Sequence, residues 1–460
     1  MNPLTYQLYL LQIENYEIIR YFRLLFRRGF YKANVPLRKR LVWTKKIMLL
    51  ALLSFAIFAV STYLFLTLGT LAGVIWIIIS FFIAPIYFTL SLLILSPFDY
   101  VAKKIVMNRA RNLVKNSKLK IIGIAGSYGK TTLKNVIESV LKQKYKVLAP
   151  GESINTAVGM SSWIIKNYKK TSEMLIVEFG EEYQGDNKRI AGIFPPDIQV
   201  ISGINEAHFE RIGSIERIAA TIFEAVENAK PNARVFLNAD DENVKKYYEK
   251  YCSTREVKFF STNDVKAKKF DVDKLHWKAE IAELGEIEIP ILGEYILGDV
   301  QAANLVAKSL GMENAEIKRG ISEIKPVNHR LEPIMGAGGV LVIDDSYNGN
   351  PQGVTEAIKV LATFTDRRKL FITPGLVESG SQNKNVHTEI GKKLSAVADK
   401  VILIKNSATP YIAEGLKNAG FDDKNIIWHE TAKSAHDSLS KILQPGDVIL
   451  FQNDWGDQHI

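Results

Sequence analysis

Residues 121–132 read IIGIAGSYGKTT, a string able to hold a nucleotide by its phosphates. The apolar run 119–125 predicts a strand. Gly126, Ser127, Tyr128 and Gly129 turn the chain, and Lys130, Thr131 and Thr132 open a helix. In that helix Leu133, Val136, Ile137, Val140 and Leu141 recur at helical spacing. Glycines let backbone N–H groups close on phosphate oxygens, and a helix N-terminus favours the anion. In such a cradle Lys130 pairs with the β/γ-phosphates and the Thr131 hydroxyl ligates Mg2+. The string departs from GxxxxGK[ST], because position 124 is Ile and the glycines fall at 123, 126 and 129. The bland alternative is a plain strand–helix turn.

Acidic and polar residues close several other predicted strands. Glu178 ends EMLIVEFG, His208 follows ISGINEA, and Asn238, Asp240 and Asp241 end VFLNADD. Asp344 and Asp345 end VLVIDD, just before SYNGNP. Ligands of open parallel sheets bind at the C-terminal ends of strands. Each residue alone reads equally well as the cap of the next helix. Sharing a chain with a phosphate loop, they point together to one nucleotide site.

The elements that must position them alternate between strand and helix. Strands are predicted at 119–125, 173–179, 197–204 and 233–238, with an amphipathic helix over 214–229. Residues 255–292 read as a small β-rich excursion. A second α/β unit begins near 326, with strands at 339–343, 369–373, 400–404 and 447–451. This alternation predicts an α/β fold, a parallel sheet with helices on both faces. No internal repeat or low-complexity tract interrupts it.

The net charge of +10 could suggest a nucleic-acid partner. Its distribution argues otherwise. Residues 1–120 carry 17 Lys/Arg against Glu14, Glu17 and Asp99, so the remaining 340 residues are mildly acidic. A nucleic-acid-binding body is disfavoured. The single cysteine, Cys252, excludes an internal disulfide and fits a reducing compartment.

From residue 47 to 98 there is no charged residue, and the run of 52 is too long for one membrane span. It fits a hairpin of two transmembrane helices near 47–67 and 74–95, joined through 68–73, with Pro85 kinking the second. Basic residues flank both sides, which places both flanks, both termini and the α/β body on the cytoplasmic side. The expected organisation is a basic amphipathic segment (1–46), the two spans (47–98) and a basic linker (99–118). A first α/β domain (119–325) and a second (326–460) follow. Residues 4–30 read as an interfacial helix on lipid, or as a helix packed on the enzyme body. A buried hairpin in a soluble core is the alternative for 47–98.

Beyond single motifs, GIAGSYGKTT, Asn155-Thr156 with Gly159, VEFG, INEAHFERIGS, FLNADD, NHRLEPI, IDDSYNGNP and PGDVILF occur in this order over 119–460. In these strings the chain resembles the Mur ligase family, ATP-dependent amide ligases of peptidoglycan precursor synthesis, and most of all its D-alanyl-D-alanine-adding branch. The resemblance implies a central ATP-binding domain, a C-terminal Rossmann-like domain, and ATP and Mg2+ as cofactors. It further implies that Glu178 holds Mg2+, His208 a second Mg2+, and Arg330 the γ-phosphate. Asp345 would meet the ribose, and Asn155, Thr156, Asn348 and Asn350 the substrates. The implied reaction joins a carboxylate to an amine through an acyl phosphate, with a peptidoglycan precursor as acceptor and an amino acid or dipeptide as amine donor.

Three features depart from the family pattern. Its lysine that orients the second Mg2+ is replaced by Ile222, with Glu224 or Glu227 as substitutes. Its adenine-side His and Asn fall on Tyr295 and Asp299, where Tyr295 could still stack on adenine. Its C-terminal Lys-Gly-Ser is replaced within FQNDWGDQ. The phosphate loop also follows the apolar run by only about 20 residues, which leaves no room between them for a UDP-binding domain. An acceptor that is membrane-associated, lipid-linked or recognised by a partner subunit is therefore an expectation, with a related ligase for another cell-wall peptide or polymer as the runner-up. A ligase-like ATPase acting as a membrane scaffold is the second reading, and a nucleotide-sensing channel the third.

Overall fold

The computed structural model describes residues 3–28, 41–151, 154–206, 212–347, 349–376 and 383–452. The chain divides into two compact units, Met1–Ile105 and Val106–Ile460.

The first unit is helical. Its long helix Lys45–Thr67 is capped by Thr44, whose hydroxyl accepts from the Ile47 N–H. Gly69, at φ +137°, turns the chain into the helix Thr70–Phe82. The predicted second span is not one helix. It ends at Ile83, and a new helix, Ala84–Lys115, starts there. Pro85 explains the break: it has no N–H for the carbonyl of Phe81, and its ring would crowd that carbonyl. The expected linker 99–118 is also corrected, because the same helix runs on to Lys115.

Residues 4–30 form two helices, Pro3–Ile13 and Ile18–Arg28, with Asn15 and Tyr16 at positive φ between them. The first has no charged residue. It packs with Tyr21 and Leu25 on Leu50, Ala84, Phe88 and Leu92.

Hydroxyls stitch the long helices. Ser54 donates to Ser91 (2.8 Å), Trp76 Nε1 to Ser61 (3.0 Å), and Ser80 and Tyr87 share a bond of 2.9 Å. At one end Lys46 meets Asp99 at 3.0 Å. Outward stand Leu49, Leu52, Phe55, Leu64, Ile78 and Phe82, all exposed large apolar side chains.

The second unit is built on two six-stranded sheets and a small three-stranded one. In the first, six parallel strands lie in the order β2-β3-β1-β4-β5-β6. These are β1 Lys120–Ala125, β2 Val147–Leu148, β3 Met174–Glu178, β4 Ile198–Ile201, β5 Arg234–Asn238 and β6 Glu256–Phe260. The run KIIGIA is apolar on both sides because both faces are covered. Ile122 and Ile124 pack with the helices Lys130–Leu141 and Ile296–Ser309. Ile121 and Ala125 pack with the helices Ala157–Asn167 and Ile215–Glu227 on the other face. Cys252, the last residue of the helix Glu242–Cys252, is buried in that second cluster, and burial pushes its thiol up to about 12.

The expected β-rich excursion over 255–292 begins later than read. Its first segment is β6, the edge of the main sheet. Only β7 Val265–Asp271, β8 His276–Ile281 and β9 Gly285–Ile289 form a separate antiparallel sheet.

The second α/β domain has the order β10-β11-β15-β12-β13-β14. Its strands are β10 Glu332–Met335, β11 Leu341–Asp345, β12 Lys369–Thr373, β13 Lys400–Ile404, β14 Ile426–His429 and β15 Val448–Gln452. All pairs are parallel except β10 with β11, so this sheet is mixed.

Candidate active site

β1 lies between β3 and β4, where the chain's path through the sheet reverses, and the phosphate loop leaves its C-terminal end. Gly126 adopts φ +145°, and a Cβ there would sit 2.2 Å from Ser202 Oγ and 2.8 Å from the Gly203 carbonyl. That close approach lets Ser127 N–H reach the Gly203 carbonyl at 2.8 Å. Gly129, at φ +74°, is the N-cap of the helix Lys130–Leu141, a conformation that favours glycine.

Two buried carboxylates face the first turns of this helix. Glu178, the last residue of β3, accepts from the Thr131 hydroxyl at 3.2 Å and lies 3.3 Å from Lys134 Nζ. Glu181, three residues on, accepts from Lys130 Nζ at 3.1 and 3.2 Å, and Lys130 also donates to the Gly126 carbonyl. Burial pushes the Glu181 carboxyl up, Lys130 pulls it down, and Glu178 adds to the rise. A hydroxyl and a carboxylate at this spacing are hard oxygen ligands of the kind Mg2+ takes. Thr131 and Glu178 therefore fit the metal. Lys134 and Glu181 escaped the sequence reading, although each stands one helical turn or one short loop from a residue it had singled out.

Tyr128 crosses over Gly203 to Asp241, donating to Oδ2 at 2.7 Å. Burial and Asp241 both raise the phenol, and Gln352 of the helix Pro351–Ala362 opposes the rise. The loop's phenol thus feels groups of both α/β domains.

A second group gathers where the two domains join. Arg330 stacks over the Tyr347 ring at 4.8 Å, between His329 and Leu331, which both hold positive φ. His329 Nδ1 lies 2.7 Å from Asp344 Oδ2, and the Leu331 N–H donates to Asp345 at 3.3 Å. Burial pushes Asp345 up to about 7. The Leu331 N–H and Arg330 oppose the rise, and Asp344 adds to it. Tyr295 feels Asp345, Asp299 and Arg330, and its phenol is raised mainly by burial. Burial alone pushes Asp299 well up. Tyr295, Asp299, Arg330 and Asp345 are thus electrostatic neighbours.

The remaining predicted residues are placed unevenly. The Asn155 carbonyl accepts from Gly180 N–H at 3.0 Å, beside the end of β3. Thr156 caps the helix Ala157–Asn167 and Asn350 caps Pro351–Ala362, each through its side-chain oxygen. Their hydroxyl proton and amide protons stay available to a ligand. His208 and Asn348 lie outside the described residues. Asp241 caps the helix Glu242–Cys252, and Asp240 accepts from Ser261 and Thr262, so the end of β5 serves the fold. Ile222 is fully buried. Glu224 accepts from the N–H groups of Gly185 and Lys188, and Glu227 is exposed on the helix surface. Glu224 is thus engaged by the backbone of residues 185–188, which speaks against it as a substitute for the family lysine.

Residues 124–307 match the Mur ligase middle domain, and residues 329–452 match the family's glutamate ligase domain. A UDP-N-acetylmuramoyl-tripeptide–D-alanyl-D-alanine ligase of Mycobacterium tuberculosis H37Rv is 30% identical over 358 residues, 72% of this chain and 70% of the relative. The chain belongs to the Mur ligase family. The ligase of the same name from Bacillus subtilis is 26% identical, over 72% of each chain. The crystal structure of MurF ligase from Thermotoga maritima in complex with ADP superposes with a TM-score of 0.66 at 26% identity, covering 76% of this chain and 80% of that one. As a family member the chain is an ATP-dependent ligase, with ATP and Mg2+ as its cofactors. The phosphate loop lies at the start of the matched middle domain, and Arg330 and Asp345 lie at the start of the matched C-terminal one.

Proposed function

We propose that this ligase is membrane-anchored, acts in cell-wall precursor synthesis, and adds D-alanyl-D-alanine to a muramoyl peptide. The observation that carries the reading is the loop Gly126–Thr132, with Thr131 on Glu178, at the sheet position where nucleotides bind. The names of the mycobacterial and Bacillus relatives support the substrates.

In the proposed reaction a carboxylate oxygen of the acceptor attacks the γ-phosphorus of ATP. The bond from that phosphorus to the bridging oxygen breaks, ADP leaves, and an acyl phosphate forms. The amine nitrogen of the donor then attacks the acyl carbon. The tetrahedral intermediate expels inorganic phosphate, and the nitrogen releases a proton to solvent. Lys130 and Arg330 offset charge on the transferring phosphoryl group. Thr131 and Glu178 would hold Mg2+, which would further offset phosphate charge. His208 is assigned to a second Mg2+ by resemblance alone. Tyr295, Asp299 and Asp345 hold the nucleoside side, and Asn155, Thr156, Asn348 and Asn350 the two substrates.

The outward apolar surface of the helical unit supports the anchor. Helix Lys45–Thr67 is about 34 Å long, enough for one crossing. Helix Thr70–Phe82, about 20 Å, is too short alone and completes the return with the first half of Ala84–Lys115. The Lys46–Asp99 pair brings both ends of this hairpin to one level. Both termini and the ligase body are then cytoplasmic.

The test is phosphate release from ATP and Mg2+ by detergent-solubilised protein, with Lys130→Ala as control. Release that needs both UDP-linked muramoyl tripeptide and D-alanyl-D-alanine supports the reading. Release only with a lipid-linked acceptor changes the acceptor. No release with either, while nucleotide still binds, defeats the ligase assignment.

A further inference from the structure

The phosphate-loop lysine already has a partner. Lys130 Nζ carries three protons, and the structure directs it at three oxygens: the Gly126 carbonyl and both oxygens of Glu181. Glu181 is 2% exposed, so this contact is sheltered from water, and salt screens it little. Glu178 provides no such counter-charge, because it is taken up by Thr131 and Lys134.

We propose that Glu181 is an internal competitor for Lys130: it holds this lysine while the nucleotide is absent and so sets how tightly the nucleotide binds. A terminal phosphate can reach Lys130 only by drawing the ammonium away from Glu181. That leaves a buried carboxylate without its cation, a costly state unless another positive group takes the place. Nucleotide binding is therefore opposed by a step built into the site. The role of Glu181 is to position Lys130.

The inference rests on the phosphate-loop reading above, and one titration separates the two. Binding of ADP and of a non-hydrolysable ATP analogue is measured at equilibrium, with Mg2+ and with chelator, for wild type, Glu181→Gln, Lys130→Ala and the double variant. Glutamine keeps the size and can still accept from Lys130, and the melting temperature of each variant checks the fold. Glu181→Asp, one methylene shorter with the charge retained, serves if glutamine unfolds the site, and is expected to fall between wild type and Glu181→Gln. The expected result is a Kd lowered about ten-fold or more in Glu181→Gln, the scale of one charge-assisted hydrogen bond. That gain should vanish in the Lys130→Ala background. An unchanged or raised Kd in Glu181→Gln overturns the proposal. Weakening seen only with Mg2+ overturns it too, and makes Glu181 a servant of the metal. Wild type failing to bind nucleotide removes the phosphate-loop reading along with it.

Discussion

The Tyr128 hydroxyl and Asp241 Oδ2 lie 2.7 Å apart, which ties the phosphate loop to the third residue after the β5 end. The same oxygen accepts from Ile204 N–H, and Asp241 Oδ1 caps the helix that follows. The ring can make this crossing only because residue 203 is glycine. A Cβ there would stand 2.2 Å from the ring. Gly203→Ala should therefore cost more than Tyr128→Phe. We expect about 2 kcal/mol for the alanine, through overpacking and a displaced loop, and about 1 kcal/mol for the lost hydroxyl. Denaturant unfolding measures both, and equal costs would remove the argument.

Glu178 and Lys134 form an ion pair in which each side chain is 5% exposed. Breaking such a pair from one side leaves a buried charge. Glu178→Gln should destabilise the second unit by about 3 kcal/mol, and adding Lys134→Met should recover much of the loss. The recovery separates this structural share from metal binding, since the double variant regains stability but not Mg2+-dependent nucleotide affinity. A double variant no more stable than Glu178→Gln would show that the pair is not the cause.

Asp345 sets a pH dependence. Its carboxyl stands at about 7 in the fold against an ordinary 3.8. The folded chain then holds this proton more tightly than the unfolded chain. Its contribution to stability falls as pH rises from about 3.8 to about 7, and is constant outside that window. If its ionised form accepts from the ribose, nucleotide affinity should rise with pH between 6 and 8. Asp345→Asn should match wild type near pH 6 and fall behind at pH 8. Parallel profiles for the two proteins would contradict the assignment.

The helical unit makes a simpler prediction. Membranes from cells expressing the full chain should retain it through an alkaline carbonate wash and release it to mild detergent. Recovery in the carbonate supernatant would count against the two-span hairpin.

Much of this architecture was legible in the chain. Runs such as KIIGIA and EMLIVEF stand out because both faces of a parallel strand are covered, so their boundaries fell within about two residues of the structure. β6 was misassigned for the opposite reason. EVKFF is an edge strand with much of its surface exposed, and it reads as an alternating segment. The helix past residue 99 was hidden by its charge. Lys and Arg form helices well, yet a run of them reads as a solvated linker. Among site residues, spacing along one strand, loop or helix pointed to Lys130, Thr131 and Glu178. The Lys130–Glu181 pair joins chain segments 51 residues apart, and no local pattern announces it.

Cys252 was introduced as one buried side chain among many, but it also makes the molecule chemically quiet. It is the chain's sole cysteine, and with its thiol held near 12 it carries almost no thiolate at neutral pH. Thiol reagents will therefore report only on cysteines placed by design. A fluorophore pair at exposed Gln184 and Lys359, one on each α/β domain, can then follow ligand-driven movement between them without a background signal.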